Sequence, residues 1–392
     1  MFERNPERKM PLNRPLHVCY FGTYRAEYPR NQIVIEGLRR NGIKVTECHQ
    51  PLWRGIEDRI KVIGGGWSNP EFWGRVIRTY FRLMVNYSRI ADYDLLMVGY
   101  PGQLDVFLAR VLSLLKGRPL GWDVFMSIYL IALERGLGQN HPQILKVLRR
   151  IEGWALRLPH LLVIDTRDYA LWMQDTHGIK ADRFSLVPTG ADDRVFHRRA
   201  IPPKTDRSFL VLYYGTFIPN HGVEFIVEAA FLLREQEGLR FEFIGDGPDR
   251  PKIWEQAQKY RLKNLTFIDW LDKEALVLRI QQADICLGAF GTTPQSVMTV
   301  QNKIYEGLAM AKPVITGDSP AVRRNLTHGE NIWVCRRADP QALAEAIQTL
   351  YANPALTESL GEKGYETFIS TYDLKHIGQT LSRAIEMETR PQ

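Results

Sequence analysis

The sequence predicts two consecutive α/β units, each built on a parallel β-sheet. Short apolar runs such as LHVCYF, DLLMVGYP, HLLVID, FLVLYYG, LRFEFIG and DICLGAF alternate with longer stretches of helical apolar spacing. Runs of this kind belong to strands buried on both faces, as in parallel sheets covered by helices on each side. A stretch rich in charge and proline, ADDRVFHRRAIPPKTDR at 191–207, separates the two series. With 392 residues the chain is long enough to give each series its own core.

In the first series a strand ending at Phe21 leads into Gly22-Thr23, a helix follows from Pro29 to Arg40, and IKVTEC forms a second strand. Ligands of such sheets bind at the carboxyl ends of strands, so the Gly22 loop is expected to wall a cleft, with Arg30 near the helix start. A plain turn is the alternative. No G-x-G-x-x-G follows this strand, which argues against a dehydrogenase. Between Trp67 and Ile90, Arg75, Arg78, Arg82 and Arg89 are interleaved with Phe72, Trp73, Tyr80, Phe81 and Tyr87. That spacing allows a helix with a cationic and an aromatic face, suited either to an anionic membrane surface or to packing on the sheet with solvated arginines. Asp123 falls at a strand end and reads as a catalytic or sugar-binding carboxylate, or as a cap of the next helix. The second series runs from Ser208, and 354–388 reads as two final helices. The expected domains are 1–195 and 205–370, with 371–392 a C-terminal helix that can cross back to the first.

Composition narrows the class. With 45% hydrophobic and 24% charged residues, this is the composition of a folded protein. No run approaches the roughly 18 apolar residues that span a bilayer, and the polar start MFERNPERKMPLNRP is unlike a signal peptide, so a cytoplasmic protein is expected. Cys19, Cys48, Cys286 and Cys335 lack metal or redox spacing and read as reduced core residues. Residues 1–200 hold 30 Lys and Arg against 20 Asp and Glu, the remainder 21 against 24. The basic half suits an anionic partner, and the absence of any recognition motif argues against nucleic acid.

TVQNKIYEGLAMAKPVIT, from Thr299 to Thr316, carries the densest chemistry. It reads as a loop, a helix over about Gln301–Met310, a turn and a buried strand, with Asn302, Lys303 and Glu306 together on the first turns. A helix start offers unpaired N–H groups to a phosphate, and Lys303 adds a full charge there. Glu306 is placed to accept hydrogen bonds from sugar hydroxyls, while a solvated Lys–Glu pair is the plain alternative.

Several segments then fall into one pattern: VPTGADDRVF, YYGTFIPNHGVEFIVEAA, FIGDGP, DWLDKEALVLRIQQADICL and QNKIYEGLAMAKPVI. Over about 187–370 the chain resembles glycosyltransferase family 4, also described as glycosyl transferases group 1. The resemblance implies the GT-B fold, two Rossmann-like domains facing across a cleft, and a nucleoside-diphosphate sugar bound mostly by the second. By motif, Glu306 holds the ribose, the backbone of Thr299 and Val300 cradles the diphosphate, and Leu271 contacts the base. Gly215 and Thr216 border the donor, and Gly245 and Gly247 let a loop approach it closely. Met298 stands where many members have a glutamate eight positions before Glu306, and Thr216 and His221 stand where the family often has Arg and Lys. Asp123 corresponds to a catalytic-loop histidine of some members. The implied function is retaining sugar transfer to an acceptor hydroxyl, with Asp123, His221 and Lys303 as catalytic residues and no metal or other cofactor. A glycan or lipid-linked acceptor of the cell envelope, handled at the inner face of an anionic membrane, fits the basic first half. A nucleotide-sugar epimerase and a non-catalytic nucleotide-sugar-binding partner are the competing readings.

Overall fold

The apolar runs that read as strands become strands, the central ones buried on both faces, in two separate parallel sheets of six. The structure, a computed structural model, describes residues 14–52, 70–199 and 208–389. In the first sheet β1 (His17–Gly22), β2 (Lys44–His49), β3 (Leu95–Val98), β4 (Leu120–Asp123), β5 (Leu161–Ile164) and β6 (Phe184–Leu186) lie in the order β2-β1-β3-β4-β5-β6. In the second, β7 (Phe209–Tyr214), β8 (Leu239–Ile244), β9 (Leu265–Ile268), β10 (Ile285–Leu287), β11 (Val314–Gly317) and β12 (Trp333–Cys335) lie in the order β12-β11-β10-β7-β8-β9.

Strand side chains alternate between two core layers. In the first half Cys19, Phe21, Leu96 and Val98 face one layer, and Val18, Tyr20, Leu95 and Met97 the other. In the second half Val211 and Tyr213 face one layer, and Leu212 and Tyr214 the other. In each sheet the order reverses at the first strand of the half, β1 or β7, and a crevice opens at the carboxyl end of a strand in that position.

The first helix spans Pro29–Arg40, with proline at its first position, where a missing N–H costs nothing. The donor-side helix spans Asn302–Ala309, one residue shorter at each end than expected. The final stretch forms helices Pro354–Thr367 and Leu374–Thr389, joined by a π-helical turn at Phe368–Tyr372. The Leu374–Thr389 helix lies on the Pro29–Arg40 helix, with Gly37 against Gly378, and its Leu374, Ile377 and Leu381 complete a core of the first half. The expected linker is anchored over 191–199: Arg40 pairs with Asp193 at 2.8 Å, Arg194 with Glu36 at 3.0 Å, and Phe196 is buried. Its remainder, 200–207, lies outside the described residues, as do 1–13, the Trp67–Asn69 part of the arginine-aromatic segment and 390–392. Cys19, Cys48 and Cys286 are buried and Cys335 half-buried, all four as free thiols.

Candidate active site

β7 delivers two tyrosines to opposite faces, Tyr213 and Tyr214, and then turns at Gly215. Gly215 has φ +137°, and a Cβ on it would stand 2.8 Å from the Lys303 ammonium. Glycine is therefore required both by the backbone and by the space that Lys303 occupies. Lys303 is 6% exposed, with Nζ 4.2 Å from the Tyr213 ring centroid and 3.4 Å from His221 Nδ1. Among the described residues no carboxylate lies within 4.0 Å of that ammonium. Burial pushes Lys303 down to about 7, with the charge of Glu306 acting in the opposite sense.

His221 sits at the end of a short 3-10 turn, Pro219–His221. Its Nδ1 is 2.6 Å from the Thr216 carbonyl and 2.9 Å from the Tyr213 hydroxyl, which itself donates to Thr216 O at 3.0 Å. A carbonyl oxygen only accepts, so Nδ1 carries the proton and the Lys303 contact is electrostatic. Burial first, and the Lys303 charge second, hold His221 well below its ordinary value. The ring is thus held neutral, with Nδ1 protonated and Nε2 left as an acceptor rather than as the cation the family often has at this position. Thr216 acts through its backbone carbonyl, as the anchor of the ring.

The Asn302–Ala309 helix starts with no side-chain cap. The Gln301 amide instead donates back to Ser296 O at 3.2 Å, and Thr299 Oγ1 donates to Gln295 O at 2.9 Å. Thr299 and Val300 are buried and Asn302 is half-buried beside this positive helix end. One turn on, Glu306 is half-buried and pushed up to about 7 by burial, opposed by the Tyr214 hydroxyl, Lys303 and Lys273. The Tyr214 hydroxyl also donates to Lys303 O at 3.1 Å, so β7 braces this helix from below. The structure thus gathers Gly215, Thr216, His221, Lys303 and Glu306 around one strand end. Leu271 closes the far side, half-buried against the cluster that holds Ile244, Val277 and Val300.

Gly245 and Gly247 sit where two loops pack closely. A Cβ on Gly245 would stand 2.2 Å from Gly215 O, and one on Gly247 2.5 Å from Phe217 O. They allow the loops after β7 and β8 to pack together, where Phe217 N donates to Asp246 O at 2.9 Å.

Asp123 is also corrected. It has no exposed surface, and Arg30, equally sealed, binds both its oxygens at 2.8 and 3.0 Å. The second guanidinium arm donates to Val187 O and Pro188 O at 2.9 and 2.8 Å. Asp123 therefore orients an arginine that grips the chain leaving the first half, and is not offered to a substrate. It does not cap the next helix either, because the Ser127 side chain accepts from Leu130 N. Gly22 has φ +137°, and its loop is occupied by Asp105, which accepts from Thr23 N at 2.7 Å and from the Thr23 hydroxyl.

The two halves meet over this site. Glu134 accepts from Gln295 N at 2.8 Å and from Asn220 Nδ2 at 3.1 Å, and Thr166 Oγ1 donates to Met298 O. The Met298 side chain is 8% exposed and joins the apolar core of the first half. Position 298 is thus an anchor between halves, and an acid there would be buried among hydrocarbon. Glu134, Tyr213, Asp105 and Asp165 were not singled out in the sequence. Asp165 is 3% exposed with neither oxygen hydrogen-bonded, and burial raises it to about 7 against the pull of Arg30. Its signal, an aspartate ending an apolar run, is shared by Asp123.

Residues 208–353 match the family model described as Glycosyl transferases group 1. These residues hold the second sheet and most of its helices. Among curated proteins, the chain is 26% identical over 175 residues to an alpha-D-kanosaminyltransferase of Streptomyces kanamyceticus, covering 44% of each protein. It is 25% identical over 171 residues to the lipopolysaccharide core biosynthesis glycosyltransferase LpsD of Rhizobium meliloti, covering 43% of this chain and 47% of that one. The chain thus spans less than half the length of these curated relatives. In fold it is similar to a sucrose-phosphate synthase from Thermosynechococcus elongatus, with TM-score 0.71 at 16% identity over 95% of this chain and 98% of that one. It is also similar to Anabaena HepE in complex with UDP, with TM-score 0.66 at 13% identity over 95% and 100%. The matched segment and the half that faces it make up a GT-B fold, as the two sheets and these neighbours show.

Proposed function

We propose that the protein is a retaining glycosyltransferase that moves a sugar from a nucleoside-diphosphate donor to an acceptor hydroxyl, in cell-envelope polysaccharide or glycolipid synthesis. The observation that carries this reading is the Lys303 ammonium, buried against Gly215 and beside an uncapped helix start, with no carboxylate within 4.0 Å among the described residues. A buried cation without a counter-ion is costly, and a diphosphate supplies the missing charge. The UDP complexes of HepE, a protein of the same fold, agree with a nucleotide ligand.

Each group then has one task. Lys303 and the N–H groups of the helix start hold the diphosphate and stabilise the charge that grows on it as the bond to the sugar breaks. Glu306 accepts from the ribose hydroxyls, Leu271 meets the base, and the Thr299–Val300 backbone flanks the phosphates. His221, neutral and fixed through Nδ1, presents Nε2 as an acceptor to a sugar hydroxyl. The acceptor, a glycan or a lipid-linked glycan, enters from the first half, in the cytoplasm at the inner face of the membrane. The reaction needs no metal, because the cationic charge comes from the chain itself.

A calorimetric screen of nucleotide sugars with chelator present, run on wild type and Glu306→Ala, tests the donor site. Wild type should bind at least one donor, and loss of the ribose contact should weaken that binding about 10- to 100-fold, the scale of a hydrogen bond to a charged group. Equal affinity in both proteins would remove Glu306 from the site. Incubating the bound donor with and without glycan acceptors then separates transfer from epimerisation and from binding alone.

A further inference from the structure

The Pro70–Ser88 helix has more apolar surface than its packing uses. Phe72, Leu83 and Tyr87 point inward and are buried. Ile77, Phe81 and Met84 follow one another at helical spacing on another side, 69%, 69% and 38% exposed. Arg78 and Arg82, with Arg89 just past the helix end, form an exposed stripe next to them, and Glu71 is the one acid in the helix. The helix therefore has three faces: one in the core, one apolar and open, one cationic and open.

A second helix, tied to the first by side-chain hydrogen bonds, also exposes apolar side chains. Asp105–Lys116 lies alongside, tied by Tyr80 Oη to Asp105 Oδ1 at 2.7 Å and by Lys116 Nζ to Ala91 O at 3.1 Å. It exposes Val111, Leu114 and Leu115 at 54%, 64% and 79%, with Lys116 beside them. Exposed leucine or isoleucine singly needs no explanation, but a row of exposed apolar side chains flanked along one helix by arginines marks a binding surface.

We propose that this two-helix face docks the protein on an anionic lipid bilayer. The apolar side chains enter the boundary between headgroups and acyl chains, and the arginines stay level with the lipid phosphates. Among the described residues no helix is long and apolar enough to cross a membrane, so the contact lies in the interface. Charge decides against a second copy of the chain as the occupant: two such faces brought together would set arginine stripes against each other. The face also reaches the first-half crevice, because Asp105, at the start of its second helix, binds Thr23 there. The surface would thus bring a lipid-linked acceptor to that crevice. That purpose rests on the acceptor reading above, whereas binding to lipid does not.

Vesicle flotation of the full chain without nucleotide tests the proposal, using phosphatidylcholine vesicles with and without phosphatidylglycerol at low and high salt. Wild type should float with the anionic vesicles at low salt and leave them at high salt. Ile77→Ser with Phe81→Ser, and separately Arg78→Glu with Arg82→Glu, should each lower the bound fraction about tenfold or more. Their melting temperatures should stay at the wild-type value, since all four side chains are exposed. A wild-type protein that ignores anionic vesicles, or double variants that bind them equally well, would overturn the proposal. So would a wild-type dimer that Phe81→Ser disperses, because the face would then belong to a second copy. Donor affinity is measured on the same samples, so failure of the donor reading is distinguishable from failure to bind lipid.

Discussion

The two halves end their first strands in the same backbone turn and fill it with opposite charges. Gly22 after β1 and Gly215 after β7 both have φ +137°, and a Cβ on either would collide with a charged side chain. In the first half the intruder is the Asp105 carboxylate, 2.6 Å from that point, and in the second it is the Lys303 ammonium, 2.8 Å away. Asp105 is fully engaged, taking hydrogen bonds from Thr23 N, the Thr23 hydroxyl and the Tyr80 hydroxyl. The first turn thus holds a carboxylate with its own donors, whereas the second holds an ammonium with no carboxylate within 4.0 Å among the described residues. One backbone solution, used twice, gives one turn filled by a carboxylate with its own donors and one filled by an ammonium, which the proposed function assigns to a phosphate.

Breaking the second turn should have the largest effect. Lys303→Met keeps the length and apolar stem and removes only the charge. It should lower kcat/KM by about 100- to 1,000-fold, ~3–4 kcal/mol of transition-state stabilisation, on the scale of losing a preorganised charge partner. The ligand-free variant should melt no lower than wild type at neutral pH, because a costly buried charge is gone. Donor binding and turnover at the wild-type level would move the phosphate site away from β7.

Breaking the first turn should damage folding and spare binding. Asp105→Asn turns one accepting oxygen into an NH2 group facing donors, in a position with 1% exposure. The expected cost is about 1–3 kcal/mol of stability, the penalty for leaving buried donors unsatisfied, measured by urea denaturation. Nucleotide-sugar affinity should be unchanged. A variant with normal stability and impaired donor binding would mean that the first crevice is not simply a sealed structural turn.

The contrast also marks what the sequence could tell. Strand existence and the Pro29–Arg40 helix were legible because apolar periodicity and proline placement are local signals. The partners of each turn were not. Gly22 meets Asp105, Gly215 meets Lys303, and Tyr213 meets His221 only after the sheets form, so no spacing announces them. Asp123 stands out because it ends a strand, yet tertiary packing gives it to Arg30, while Asp165, just past another strand end, has neither oxygen hydrogen-bonded among the described residues. Met298 read as an absent acid. In three dimensions it is an apolar peg in the opposite half, a role visible only once the halves are together.

The finest difference between the turns concerns protons. Lys303 is held down to about 7, far below its ordinary 10.5, so in the free protein it loses its charge as pH rises above about 7. A bound diphosphate favours the charged form and raises the group above that value. Binding then takes up a proton: affinity is fully present below about 7 and falls above it, by at most tenfold per pH unit, until the raised value of the complex is passed. Glu306, pushed up to about 7, works in the other direction, because its ionised form above that pH is the better acceptor for ribose hydroxyls. The two arms partly cancel in wild type. Glu306→Gln should expose the falling arm and Lys303→Met should abolish it. Calorimetry at pH 8 in two buffers of different ionisation enthalpy reads the uptake directly, with an intact nucleotide sugar as ligand because its phosphates carry no proton near neutral pH. Wild type and Glu306→Gln should take up a fraction of a proton and Lys303→Met none. An uptake that survives in Lys303→Met would assign the titrating group elsewhere and dissolve the contrast between the two turns.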